Sequence, residues 1–195
     1  RTLCASFPSS SKAVTSPIDA LAPFFPAETP TSLELHLIDS RVNMNGYFDS
    51  LAKDHSAFFF QSGADRFAMP FAVFNLAGMI EALRYGIPQD CSAARRPELS
   101  RLEESFAGCL GQIRGRYDWE EATSPAPLTH AQFAEACRRR TAGGKDTVDP
   151  QLARFFTLVD SMAEIATIDS PFAEENLEEL YSRYSNWVPF TSSVD

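Results

Sequence analysis

The sequence predicts an all-α protein, an array of about six to seven helices arranged as antiparallel hairpins, and three observations carry that expectation. Across 97–118 the residues Leu99, Leu102, Phe106, Cys109, Leu110, Ile113 and Tyr117 recur at intervals of three and four. Residues 150–168 repeat the pattern with Leu152, Phe155, Phe156, Val159, Met162 and Ile165, the spacing that lines one face of a helix. Only Leu33, Leu35 and Leu37 alternate as a strand would, and no second such run exists to pair with them. Connections of roughly 5–12 residues then favour antiparallel helical neighbours over a sheet.

Taken in order, residues 1–31 hold Pro8, Pro17, Pro23, Pro26 and Pro30 and show no helical or strand period, so they read as an extended arm whose apolar groups dock on a surface. A helical domain is expected over 32–188. It opens with two helices, 32–43 and 45–60, joined near Asn43 and Gly46. The next helix spans 66–85, with Pro70 tolerated in its first turn and Gly86 and Pro88 closing it. Pro97 suits the first turn of 97–118. Thr129 and Gln132 have the spacing of a capping box, which starts a short helix over 130–140 that ends in Arg138, Arg139 and Arg140 and is stopped by Gly143 and Gly144. Asp149 and Pro150 are N-cap and first residue of 150–168. Ser170 and Pro171 take the same roles for a last helix carrying Leu177, Leu180, Tyr181, Tyr184 and Val188, and 189–195 is expected to be a short tail.

The charge balance narrows the partners. The chain carries 17 basic and 26 acidic residues, net −9, so its average surface repels phosphate backbones. The longest apolar run, 67–80, is broken by Pro70 and Asn75 and falls short of the roughly twenty residues that span a bilayer. Residues 1–18 contain Arg1, Lys12 and five serines but no acid, a composition like that of an organellar transit peptide. A mitochondrial location after cleavage is the resulting expectation. Cys4, Cys91, Cys109 and Cys137 show no paired spacing and are expected to be reduced, mostly packed thiols.

Signals for chemistry are weak. The run Gly143, Gly144, Lys145, Asp146 lacks the first glycine and the final Ser or Thr of a phosphate loop. His36 with Asp39, and Asp54 with His55, offer metal-ligating types without a firm ligand spacing. His130 and Cys137 share a helix face, an arrangement that could activate a thiolate, but Cys137 occupies an apolar position beside Phe133 and is read as packed. No catalytic residue, metal or cofactor is therefore expected.

Contact surfaces are better supported. Three consecutive residues on a helix point about 100° apart, so Phe58, Phe59 and Phe60 cannot all face one core. Phe7, Phe24 and Phe25 in the arm and Trp187 and Phe190 near the C-terminus complete a set of aromatic anchors of the kind that populate protein interfaces.

One stretch resembles a known family. Leu76, Gly78, Met79, Leu83, Gly86, Ile87, Pro88 and Asp90 are similar to the close of a pentatricopeptide repeat, in which an apolar second helix runs into Gly-Ile, then Pro and Asp. The resemblance covers 76–90 and implies a scaffold of helical hairpins, a kind commonly used to bind RNA. The net negative charge departs from that use. A similar scaffold that binds protein instead occurs as a small accessory subunit of some protist mitochondrial ATP synthases. The expectation is a non-catalytic accessory subunit of a large mitochondrial assembly, peripheral to the membrane and partnered by other protein subunits rather than nucleic acid. The alternatives are a stand-alone helical adaptor or effector that binds a signalling partner, and a small thiol-dependent enzyme.

Overall fold

A computed structural model of the chain describes residues 17–25, 30–53, 69–117, 125–143 and 149–194. Seven α-helices and no strand occur among the described residues: α1 (Pro17–Leu21), α2 (Pro30–Lys53), α3 (Met69–Glu81), α4 (Pro97–Tyr117), α5 (His130–Thr141), α6 (Pro150–Ala166) and α7 (Leu177–Val194). The all-α expectation holds.

The described residues fall into two compact units. One comprises those up to Ile80 with those from Arg95 to Tyr117; the other comprises Glu81–Ala94 with those from 125 to 194.

In the first unit α2 packs chiefly on α4. Leu33, Leu37, Met44 and Phe48 of α2 and Leu99, Leu102, Phe106, Cys109 and Ile113 of α4 are buried, each set at helical spacing. Leu76, Met79 and Ile80 of α3 add to this core. Residues 17–24 are not the extended arm expected: Pro17–Leu21 is helical, Ala22–Phe24 is a 3₁₀ turn, and Ala20 and Leu21 are buried. Their approach depends on Gly78, because a Cβ there would collide with the Pro17 ring. The break expected at Asn43–Gly46 is also absent. One 24-residue helix runs through Gly46, since burial of Met44 and Phe48 on either side outweighs the roughly 1 kcal/mol cost of a helical glycine.

The second unit is built on an aromatic core of Phe133, Phe155, Phe156, Phe172, Tyr184 and Trp187, closed by Tyr85, Leu152, Val159, Leu180 and Val188. Phe133 and Tyr184 stack with centroids 5.0 Å apart, and Phe155 lies 5.3 Å from Trp187. The turn after α3 is a π turn, Ala82–Gly86, seated on α6. Gly86 permits that seat: a Cβ on it would stand 2.6 Å from Met162 Cγ.

Two boundaries differ at the C-terminal end. Ser170 and Pro171 do not start α7; Glu174–Asn176 forms a 3₁₀ turn and the α-helix begins at Leu177. Nor are 189–194 a tail, because α7 continues through Pro189 to Val194. A proline inside a helix forfeits one backbone hydrogen bond and crowds the preceding turn. Burial of Trp187, Val188 and Thr191 on one face offsets that loss.

The caps behave as the sequence requires. Thr129 and Gln132 form the capping box of α5, and the Asp149 carboxylate accepts from the Gln151 and Leu152 amides at 2.8 and 3.2 Å. Helix α6 ends on Thr167 at φ 55°, with the Ile168 amide donating to the Ala163 carbonyl at 2.9 Å and the Thr167 amide to that of Glu164 at 3.3 Å. This is the left-handed closure that glycine normally supplies, occupied by a β-branched residue. Thr167→Gly is expected to stabilise the protein by about 1 kcal/mol. A urea titration checks this through a raised midpoint at unchanged slope.

Candidate functional site

The described aromatic anchors expected from the sequence are divided between the two units. Phe24 and Phe25 are half-buried in the first unit, and Phe24 stacks on His36 with centroids 5.1 Å apart. Trp187 is a correction: it is wholly buried in the second unit, and its indole N–H donates to Glu81 Oε1 at 2.9 Å. The reason is helical phase, since Leu180, Tyr184, Trp187 and Val188 share the inner face of α7. Phe190 is half-buried against Tyr85 at 5.5 Å. Phe7, Phe58, Phe59 and Phe60 lie outside the described residues.

The polar clusters of the second unit are structural in their geometry. Glu81, buried, also receives Arg154 at 3.4 Å, whose guanidinium lies 5.8 Å from the Trp187 ring. Leu128 is held at both backbone groups: its amide donates to the Tyr184 hydroxyl at 3.4 Å and its carbonyl accepts from Tyr181 at 3.1 Å. The turn that closes the pentatricopeptide-like stretch is tied to α7 through the Gln89 amide, which donates to Glu179 Oε1 at 2.7 Å. Arg183 sits below it, 3.7 Å from Glu179, with Nε and Nη1 making no hydrogen bond. Burial holds its pKa below the ordinary arginine value, against the opposing pull of Glu179 and Asp90. An anion drawn to that guanidinium would meet both carboxylates, so the cluster suits a turn anchor better than a phosphate site.

The other residues singled out for chemistry are occupied in similar ways. Arg138 and Arg139 both pair with Glu135, while Arg140 pairs with Asp160 and lies over the rings of Phe156 and Phe172. These three arginines are thus largely neutralised within the unit. His130 contacts Glu178 at 3.3 Å and meets Tyr181 edge-on. Burial pushes the Cys137 thiol up to about 12, only partly opposed by Arg140, and that of Cys109 up to about 11 with Asp49 adding to the shift. Neither is a thiolate at neutral pH. Among the described residues no group of three or more His, Cys, Asp and Glu side chains is placed to hold a metal ion. No described helix is long and apolar enough to cross a membrane.

What remains is a surface on α2. Leu35 and Val42 are 56% and 55% exposed, and Ile38 is partly so. At 100° per residue, Leu35, Ile38 and Val42 lie within an arc of about 60°, centred roughly opposite the buried row of Leu33, Leu37, Met44 and Phe48. The helix is thus apolar on two sides and buries one. Phe74 on α3 is the third large exposed apolar residue of the described chain, at 58%. The sequence held the signal for the stripe: Leu33, Leu35 and Leu37, read as a helix instead of a strand, place Leu35 about 160° from each of its neighbours in the row.

No protein-family model, curated protein or solved structure matches the chain.

Two outcomes are expected. His36 is buried with Nε2 unpartnered, and burial lowers its pKa while Asp39 opposes the shift. Below the ordinary value of 6.5 the unfolded chain takes up a proton that the folded one resists, so stability falls as pH drops through that value. Urea midpoints at pH 7.5 and 5.5 should show this loss, and His36→Gln should reduce it. With iodoacetamide at pH 8 and peptide mapping, half-buried Cys91 should label in the native protein, whereas Cys109 and Cys137 should label only in denaturant.

Proposed function

We propose that the chain is a non-catalytic helical subunit that acts by stoichiometric binding to other protein subunits, in mitochondria, at the periphery of an energy-converting complex, with ATP synthase the first candidate. The observation that carries the binding role is the second apolar side of α2, where Leu35, Ile38 and Val42 line one arc. Single exposed apolar residues are ordinary on any surface, but a row of three in helical phase is the pattern by which a helix meets another chain. The placement rests on weaker support: the basic, acid-free composition of residues 1–18 and the likeness of 76–90 to a repeat used as a protein-binding scaffold. The absence of a helix fit to cross a membrane among the described residues is compatible with a peripheral position.

A thiol enzyme is opposed by the raised pKa of Cys137, which keeps the nucleophile protonated and enclosed. Native mass measurement on material purified from mitochondria of the source cell tests the proposal. The chain should be recovered in a large multi-protein particle, and replacement of Leu35 and Val42 by serine should release it. Recovery as a lone monomer, or unchanged assembly of the double variant, would overturn the reading.

A further inference from the structure

The outer side of α2 carries charge as well as apolar surface. Asp39 borders the arc, about 40° beyond Leu35 on the side away from Ile38, and Asp49 follows two turns beyond Val42. Both are exposed, and neither forms an ion pair with a described residue. The positions completing the arc are Asn45 and Gly46, and the first cation on it is Lys53, in the last turn of the helix. Glu34 and Arg96, which do pair, at 3.9 Å, lie to one side. The face therefore reads Leu35, Ile38, Asp39, Val42, Asp49, an apolar row about 10 Å long edged by carboxylates.

We infer that this face takes an amphipathic helix of a partner protein whose apolar row is flanked by lysine or arginine; the inference rests on the binding role proposed above and names the partner's chemistry. Shape argues for a helix, because Leu35, Ile38 and Val42 form an i, i+3, i+7 ridge that fits the groove between the ridges of a second helix. Charge argues for a basic one, because Asp39 borders the apolar row and, at the edge of a low-dielectric contact, would need a cation to meet it. A second copy of this chain is the poorer occupant. A two-fold pairing of α2 about Ile38 brings Asp39 beside its own symmetry mate, and nothing between Leu35 and Asp49 on that arc offsets the repulsion. The chain's net charge of −9 works in the same direction, raising the encounter rate with a basic partner and lowering it with another copy.

Three fluorescein-labelled synthetic helices of about 20 residues test the inference by anisotropy against the full chain. One carries a leucine row flanked by lysines, the second has glutamate at every lysine, and the third keeps the lysines with serine in place of leucine. The leucine–lysine peptide should bind, and its affinity should fall as salt rises. Leu35→Ser with Val42→Ser should weaken it about 30-fold or more, and Asp39→Lys about fivefold. Circular dichroism of both variants should match the parent, since the altered side chains are already exposed. Equal binding of the leucine–glutamate peptide would overturn the basic partner yet leave the docking role intact. Equal binding of the serine–lysine peptide would overturn it as mere charge attraction. A concentration-dependent dimer abolished by the serine double variant would assign the face to a second copy. If no peptide binds, both the partner and the docking role of α2 fall.

Discussion

A helix can turn only one side toward a single neighbour, and α2 is apolar on two. Its inner row is satisfied by α4, where Leu33, Leu37, Met44 and Phe48 meet a partner helix with Leu99, Leu102, Phe106 and Ile113 at matching intervals. That packing consumes the side of α2 with the longer apolar row and sets the rotation of the helix about its axis. Leu35, Ile38 and Val42 are then left outside by geometry. No adjustment of rotamers can bring both rows in together, because they diverge by about 140° around the helix. The exposed stripe is thus a consequence of how the unit's core is made.

The second unit is held by a different device. Its core is mainly aromatic, and aromatic side chains bury large areas while demanding particular ring angles and partners for their polar tips. Trp187 finds its partner in Glu81, a buried carboxylate at the end of α3, and Arg154 completes the trio by neutralising the acid and covering the indole. Tyr181 and Tyr184 direct their hydroxyls at the backbone of Leu128 and so fix the segment that leads into α5. Each buried polar group among them is matched to a complement, the condition under which such groups do not cost stability.

Much of this was readable beforehand where the cause is local. The starts of α4, α5 and α6 follow from Pro97, the Thr129–Gln132 box and Asp149 with Pro150, because capping depends on residues three or four apart in the chain. The inner faces of α4 and α6 follow from periodicity alone. The misreadings share one origin. Local preference favours a break near Gly46, a tail from residue 189 and extended chain over 17–21; burial of Met44 and Phe48, of Trp187, Val188 and Thr191, and of Ala20 and Leu21 overrides it. Tryptophan is common at interfaces, but that rule of residue type says nothing of phase, and phase encloses Trp187. The alternation of Leu33, Leu35 and Leu37 suits a strand as well as a two-sided helix, so the α2 stripe is visible only once the helix is established.

By itself, then, the amino-acid order determined the helical class, the starts of α4, α5 and α6, their inner faces and the excess negative charge, all of which arise from neighbours within a few residues or from composition. Tertiary structure alone decided which aromatic residues are enclosed, which cations are already neutralised, and which side of α2 remains outside. Those outcomes depend on groups far apart in the chain: Glu81 reaches Trp187 across 106 positions, Arg140 reaches Asp160, and α2 reaches α4. Local spacing can state that a helix has two greasy sides, but only the arrival of a distant helix on one of them chooses the other as the surface.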